Sequence, residues 1–230
     1  MNRYSPSKIQ TFEQCKLKFK LHYLDKIEVP EPISYPANFG SLVHEIAEKY
    51  DGSNLRKLIK LVRNYELNEE YRQLIAPVVK NVVKFLEKYS KYDFEPEQEF
   101  TLKNDRAWLY GIIDRIMYIN EDIVFVDYKT GKSTNKEKYI FQMNLYNLMI
   151  SKKHNKDPRN VKCIIYFPRQ GIEEKILFSK TKAQIFEAKL YRTIDNIESN
   201  IDWSHTESGL CPWCKYSNTV HCPIKVEKRQ

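Results

Sequence analysis

Two aspartates and a lysine near the middle of the chain have the types and spacing that metal-assisted hydrolysis requires. Asp114 lies in the segment Gly-Ile-Ile-Asp-Arg, and the segment Asp127-Tyr-Lys129 follows thirteen residues later. Two carboxylates can hold a divalent cation through their oxygens. Such a cation activates water, and a neighbouring ammonium stabilises the negative charge that develops on a phosphodiester. The three residues therefore form a candidate catalytic group.

Two apolar segments must position these side chains. Residues 112–119 and 123–128 are rich in β-branched residues and flank a short polar connection, which predicts a β-hairpin. With residues 120–121 as a two-residue loop, the register places Asp114 directly opposite Asp127. Their Cβ atoms would then be about 5 Å apart. A slip of one residue would separate the two carboxylates.

Lys129 is expected on the same strand face as Asp127, because side chains alternate along a strand. The alternative interpretation of the segment Asp127-Tyr-Lys129 is a solvated strand edge with a surface ion pair. The four apolar residues before Asp127, Ile-Val-Phe-Val, favour the catalytic interpretation. A charged group at the end of so apolar a strand is costly without a partner.

The composition indicates a globular protein with an anionic partner. Of 230 residues, 42% are hydrophobic, and the formal net charge is +8 with 38 basic and 30 acidic residues. This spread of charge favours a basic groove over a basic tail. No signal peptide and no apolar stretch of membrane-spanning length is expected, so we predict a cytoplasmic protein without membrane contact. In a reducing setting, its five cysteines are expected to be thiols or metal ligands.

The order of predicted elements favours an α/β fold with a central mixed β-sheet flanked by helices. We predict a single domain over residues 1–230, with a helical part (1–95), a catalytic sheet core (96–180) and a C-terminal helix with a Cys-rich segment (181–230). Helices are expected from Ser5 through Cys15 and beyond, and over 38–50, 55–92 (interrupted near 64–68 and at Pro77), 135–151 and 181–201. Strands are expected over 96–102, the hairpin, 161–167 and 172–178.

Four cysteines near the two ends of the chain form a typical set of metal ligands. Cys211, Cys214 and Cys222 lie within twelve residues, and Cys15 lies near the other end. Four thiolates suit zinc or an iron–sulfur cluster, and spacing alone does not distinguish the two. The alternatives are zinc bound by the three C-terminal cysteines with His221 or His205, a redox-active Cys-x-x-Cys, or no metal at all. Cys163, in an apolar strand, is interpreted as a buried structural thiol.

These motifs together resemble the PD-(D/E)xK nucleases, in the branch that contains the RecB nuclease domain. The hairpin resembles the catalytic motif, Gly40-x-x-x-His44 the metal-binding helix, and Gln142-x-x-x-Tyr146 a third motif. The segment from Tyr4 to Cys15 and the three C-terminal cysteines resemble the [4Fe–4S] clamp of AddB-type and CRISPR-associated nucleases. The resemblance covers the whole chain. Two departures are a longer final spacing, Cys-x₇-Cys, and Asp127 where Glu is common.

The resemblance implies a role for each matching residue within a restriction-endonuclease-like core. Mg²⁺ or Mn²⁺ would be held by His44, Asp114, Asp127 and the main-chain carbonyl of Tyr128. Lys129 would act on the attacking water and the developing charge. Gln142 and Tyr146 would line the site and contact DNA, and the four terminal cysteines would hold the cluster. Three further acidic residues are weaker candidates for the site: Glu48, Glu97 and Glu99.

The resemblance implies a metal-dependent DNA exonuclease that acts on single-stranded DNA or DNA ends. The enzyme would act in recombination, repair or phage DNA processing. A recombination, replication or CRISPR-adaptation protein would be its partner. No phosphate-binding loop of a helicase motor is found in the sequence. Two alternatives remain: a non-catalytic nucleic-acid-binding module with a structural zinc or iron–sulfur site, and a redox or metal sensor built on the cysteines.

Overall fold

The structure, a computed structural model, describes residues 2–50 and 55–227. Its α-helices are α1 Pro6–Gln14, α2 Lys16–Phe19, α3 Tyr35–Lys49, α4 Leu55–Val62, α5 Glu69–Tyr89, α6 Ile140–Lys153 and α7 Lys180–Glu198. A π-helix covers Lys20–Leu24, and 3₁₀ turns cover Lys136–Tyr139, Pro158–Asn160 and Cys211–Trp213. The strands are β1 Arg3–Tyr4, β2 Asp93–Glu95, β3 Gln98–Lys103, β4 Trp108–Ile113, β5 Arg115–Ile119, β6 Asp122–Tyr128, β7 Val161–Phe167 and β8 Ile172–Ile176.

Serine and asparagine caps explain where three of the helices begin. Ser5 and Ser34 accept hydrogen bonds from the first turns of α1 and α3, and each precedes a proline in that turn. Asn68 caps α5, where Glu69 and Glu70 also favour a helix N-terminus. The interruption predicted near 64–68 is confirmed as the connection between α4 and α5.

The predicted interruption at Pro77 is wrong, because α5 continues through this proline to Tyr89. Proline removes one helical hydrogen bond and normally kinks or ends a helix. Here the following turns bury Val78, Val82 and Phe85, which are at most 2% exposed. This burial of apolar surface offsets the local cost.

Two compact units divide the chain, and each is described by itself. One contains the described residues within 1–33, 103–110 and 187–230, and the other contains those within 34–102 and 111–186. The prediction of one nuclease domain over 1–230 stays a prediction, and parts of that range lie outside the described residues. None of the described helices is long and apolar enough to cross a lipid bilayer.

The larger sheet lies in the second unit and has the order β2-β5-β6-β7-β8. Only the β6–β7 pair is parallel, so the sheet is mixed. Helices α3 and α5 pack their apolar stripes against one face, which presents Val124, Val126 and Ile164. On the other face, Phe125 makes an edge-to-face contact with Tyr146 of α6. The predicted fold class, a mixed sheet flanked by helices, is confirmed.

The first arm of the hairpin differs from the prediction. Residues 112–119 are not one strand, because the chain bends at Asp114 and divides into β4 and β5. β5 joins the larger sheet, whereas β4 pairs in parallel with β1 in another sheet. Apolar residues continue on both sides of Asp114 and Arg115, so the pattern alone does not reveal the change of sheet. Asp114 therefore lies at a junction between strands.

Candidate active site

The β5–β6 hairpin has the register that its sequence predicts. Residues 120–121 form the turn, where Asn120 has a φ of 55°, a conformation that asparagine tolerates well. Ile119 pairs with Asp122, and Arg115 pairs with Val126. Continued by one residue, this register places Asp114 opposite Asp127.

Asp114 connects α3 to the end of β6 through its two carboxylate oxygens. Oδ1 lies 3.0 Å from Nδ1 of His44. Oδ2 accepts a hydrogen bond from the main-chain N–H of Tyr128 at 2.7 Å. Burial disfavours the charged imidazolium of His44, but the hydrogen bond and charge of Asp114 outweigh burial and raise the pKa of His44. The nearby carboxylates thus favour positive charge at this position.

Glu97, in the connection between β2 and β3, contributes a third potential ligand. One ligand atom from each of His44, Glu97 and Asp114 lies within 4.8 Å of the other two. Burial raises the pKa of Glu97, and the charges of Glu48 and Asp114 raise it further. Such mutual repulsion is relieved when a divalent cation binds. Imidazole and carboxylate are suitable ligands for Mn²⁺, and carboxylate also for Mg²⁺.

A chain of hydrogen bonds leads from Asp127 to the backbone of β4. Nζ of Lys129 donates to Oδ1 of Asp127 at 3.1 Å and to Oε1 of Gln142 at 3.0 Å. Nε2 of Gln142 donates to the hydroxyl of Tyr146 at 3.0 Å, and this hydroxyl donates to the carbonyl of Ile112 at 2.7 Å. Gln142 and Tyr146 are one helical turn apart on α6, so their side chains share a face.

Asp127 is buried but only partly satisfied by its neighbours. Its side chain is 5% exposed, and Oδ2 lies 2.8 Å from Nζ of Lys129 as an ion pair. This oxygen accepts no hydrogen bond from the described residues. Burial raises the pKa of Asp127 to about 6, against the opposing charge of Lys129 and with a further contribution from Asp114. A buried carboxylate oxygen of this kind suits a cation ligand.

The cavity beside this group has a volume of about 690 Å³ and is lined by His44, Glu97 and Asp114, and also by Glu48. Glu48 therefore reaches the same cavity, whereas Glu99 is not among its lining residues. The structure brings the residues expected at the site into two hydrogen-bonded groups. One joins His44 to Asp114, and the other joins Asp127, Lys129, Gln142 and Tyr146. Tyr128 contacts Asp114 through its N–H, and the expected role of its carbonyl stays a prediction.

Comparison with known proteins identifies the family of this chain. The model of the PD-(D/E)XK nuclease superfamily matches residues 3–219 of the 230. The chain belongs to this superfamily. The nuclease fold agrees with that of a crystal structure of a candidate exonuclease from Eubacterium rectale, at a TM-score of 0.60 and 16% identity. That similarity covers 96% of this chain and 90% of the other.

A curated relative is much longer than this nuclease chain. This relative, one of the subunits of an ATP-dependent helicase/nuclease from Streptococcus mutans serotype c, is 27% identical over 168 residues. The match covers 64% of this chain but only 13% of the relative. The chain therefore matches a small part of that protein. The matched family model shows membership of the PD-(D/E)XK nuclease superfamily, whose nucleases generally use divalent metals.

The four terminal cysteines of this PD-(D/E)XK nuclease lie around one small cavity in the first compact unit. Cys15, Cys211, Cys214 and Cys222 line a cavity of about 40 Å³. Three main-chain N–H groups donate to these sulfurs, each at 3.4 Å: Lys18 and Thr206 to Cys15, and Ser208 to Cys211. Hydrogen bonds from N–H groups stabilise thiolates, so this environment suits metal-binding sulfur.

The predicted position of Cys15 inside a helix is wrong. Cys15 is extended, with φ of −162°, and it separates α1 from α2, where it caps the second helix. This break in the helix lets the thiol of Cys15 face the cavity. In a continuous helix, the helical period would set the direction of the side chain instead. Cys163 is buried, as predicted, and burial raises its pKa well above the usual value of a thiol.

Proposed function

We propose that this protein is a metal-dependent deoxyribonuclease with exonuclease activity on single-stranded DNA or DNA ends. The observation that carries the proposal is the convergence of His44, Glu97 and Asp114 beside the Asp127–Lys129 pair. Carboxylates, an imidazole and an ammonium in one site are the groups that metal-assisted phosphodiester hydrolysis needs.

In this proposal, His44, Asp114 and Asp127 hold Mg²⁺ or Mn²⁺, together with the carbonyl of Tyr128. Glu97 is an additional ligand from a separate segment. When bound, the cation lowers the pKa of coordinated water and neutralises phosphate charge. Oδ2 of Asp127, which is buried and accepts no hydrogen bond from the described residues, and the raised pKa of Glu97 both support binding of a cation here.

Lys129 would provide positive charge to the reacting phosphate. Its ammonium is largely buried and fixed by Asp127 and Gln142, so it requires little reorganisation when negative charge develops. Burial disfavours the charge of Lys129, but Asp127 outweighs burial and raises its pKa, so the ammonium is retained at neutral pH. Gln142 and Tyr146 orient the lysine and contact the DNA strand.

In this proposal, the protein binds DNA without reading its base sequence. The net charge of +8 favours contacts to phosphates, which position DNA without reading its sequence. The structural relative from Eubacterium rectale carries the name of a candidate exonuclease, which supports exonuclease over endonuclease activity. Cleavage should accordingly decrease steeply as salt concentration rises.

We also propose that Cys15, Cys211, Cys214 and Cys222 bind a [4Fe–4S] cluster, as in the RecB-like branch with a cysteine clamp. The four cysteines line one cavity, and Cys15 and Cys211 accept hydrogen bonds from main-chain N–H groups. Four thiolates also suit zinc. The resemblance to the cysteine-clamp branch is what favours the cluster.

A cytoplasmic setting in recombination, repair, phage DNA processing or CRISPR adaptation completes the proposal. The similarity to part of an ATP-dependent helicase/nuclease subunit supports a partnership with other DNA-processing proteins, such as a recombination, replication or CRISPR-adaptation protein. The alternative, a non-catalytic binding module, would leave the buried Asp127–Lys129 pair without a role.

The test is a digestion assay with end-labelled single-stranded, double-stranded and circular DNA. Mg²⁺ or Mn²⁺ should permit release of labelled nucleotides from linear substrates, and EDTA should abolish it. Circular single strands should be resistant, which distinguishes an exonuclease from an endonuclease. Intact linear DNA of every kind under both metals would refute the proposed activity, provided that the cysteine site is loaded.

A further inference from the structure

Two aromatic rings and two cations lie together on one face of the β1–β4 pair. All four residues belong to the first compact unit. Arg3 pairs with Trp108, and its guanidinium lies 3.7 Å from the ring centroid of Tyr110 and 5.3 Å from that of Trp108. Nζ of Lys103 lies 5.6 Å from the Trp108 ring centroid. We call Arg3, Lys103, Trp108 and Tyr110 the aromatic platform.

Strand alternation turns the aromatic platform away from the core. Tyr4 and Leu109, which alternate with platform residues, are at most 1% exposed, and Tyr4 donates a hydrogen bond to Glu198 on that inner side. Trp108 and Tyr110 are partly exposed, and Arg3 and Lys103 are exposed. The two rings are two residues apart on β4, hence about 7 Å apart. This separation is about twice the 3.4 Å rise per nucleotide of a stacked strand.

We propose that the aromatic platform binds unpaired bases of single-stranded nucleic acid by stacking. Every base has a π-face that stacks on aromatic rings regardless of sequence, and cations beside the rings contact the phosphates. The guanidinium of Arg3 presents a further planar surface on which a base can stack. A protein partner would not require the cations, whereas an anionic strand does. The inference rests on the proposed function only in naming DNA as the ligand.

The competing explanation is that the aromatic platform consists of ordinary surface residues without a ligand, because isolated cation–ring pairs occur on many proteins. Lys91 over the Tyr92 ring, at 5.0 Å, is such a pair in the other unit. The aromatic platform differs because one guanidinium spans two consecutive outward rings. Tyr92→Leu therefore provides a matched control, since it removes a partly exposed ring with one cation.

The experiment measures binding of an oligothymidylate to the full chain in EDTA, so that no cleavage occurs. Stacking on Trp108 should quench intrinsic tryptophan fluorescence. Trp108→Leu and Tyr110→Leu should each weaken binding by about 5- to 150-fold, the range for loss of one base–aromatic stack. Arg3→Gln, at an exposed position, should weaken binding without lowering the melting temperature, and Tyr92→Leu should bind like the wild type.

Wild-type affinity in all three platform variants would overturn the inference. An equal loss of affinity for duplex and single strand would also overturn it, because stacking requires unpaired bases. The proposed function can fail separately. A wild-type protein that cuts no DNA but shows Trp108-dependent binding would refute only the nuclease activity, and a protein that cuts DNA with unaffected variants would refute only the platform.

Discussion

A Cβ atom added at Gly111 would lie 2.4 Å from Cε1 of Tyr146. The ring of Tyr146 thus occupies the space that any side chain on this residue of β4 would need. The same ring donates its hydroxyl hydrogen bond to the carbonyl of Ile112, the next residue. Gly111 therefore permits the position of Tyr146 and, through Gln142, that of Lys129.

Gly111→Ala should displace the Tyr146 ring and destabilise the fold by about 1–3 kcal/mol, the usual cost of overpacking. The cleavage rate should fall with it, because Lys129 loses its fixed partner. In a Tyr146→Ala background the added methyl group has room, so Gly111→Ala should then cost little. A double-mutant cycle of unfolding free energies measures this coupling. Additive effects of the two changes would contradict the proposed contact.

Lys129→Met should reduce the cleavage rate by about 10²- to 10³-fold, the range for removal of one charge-stabilising donor. The substitution keeps the length of the side chain but removes its charge, so metal and DNA binding should persist. Lys132→Met is a matched control, because this exposed lysine pairs with Glu70 outside the site. Single-turnover rates on labelled DNA compare the two variants. Equal rates in both would remove Lys129 from the chemistry.

Glu97→Gln should weaken Mn²⁺ binding, because it removes one of the three converging ligand groups. Glu99→Gln changes an exposed carboxylate two residues away and should leave Mn²⁺ affinity unchanged. Isothermal titration of each variant without DNA gives the dissociation constant independently of catalysis. If both variants bind Mn²⁺ like the wild type, Glu97 is not a ligand, and the metal site reduces to the remaining residues.

Metal affinity should fall as pH is lowered through about 6. Burial raises the pKa of Asp127 to about 6, so below this pH a proton competes with the cation for its carboxylate. The proton on Asp127 by itself predicts about a tenfold loss of affinity per pH unit below its pKa, and the proton on His44, whose pKa is also raised, makes the loss steeper. Mn²⁺ titrations between pH 5 and about 8 test this dependence. In Asp127→Asn, which cannot titrate there, the affinity should be lower and depend less on pH.

A thiolate-ligated cluster should give the protein visible absorption at about 400 nm, and Cys222→Ser should abolish this absorption. Cys163→Ser, a change of the buried thiol in β7, should retain that absorption. Anaerobic purification with iron and zinc analysis distinguishes the two metals. Colourless wild-type protein with one zinc per chain would exclude the cluster while leaving the cysteine site itself in place.

Local sequence was sufficient to predict the β5–β6 hairpin. Two β-branched segments and a two-residue turn determine its pairing, because a shift of one residue would expose every buried side chain. The opposition of Asp114 and Asp127 follows from this register alone. Helix starts at Ser5 and within 64–68 were similarly readable, because capping residues act on adjacent backbone groups.

Glu97 and Cys15 show what local sequence could not determine. Glu97 lies near His44 and Asp114 only because segments distant in the chain are brought together. No motif marks it, and the sequence did not distinguish it from the two other weaker acidic candidates, Glu48 and Glu99. The break at Cys15 and the continuation of α5 through Pro77 likewise depend on what each segment packs against.

The sequence by itself determined the order of the motifs, the hairpin register and the chemical identity of the site, since these depend on residue type and on interactions between neighbours. Only the tertiary structure decided that the chain bends at Asp114, that Glu97 lies beside His44 and Asp114, and that Gly111 accommodates Tyr146. The physical reason is that these contacts join residues far apart in sequence, whose closeness is the result of packing and leaves no local periodic pattern.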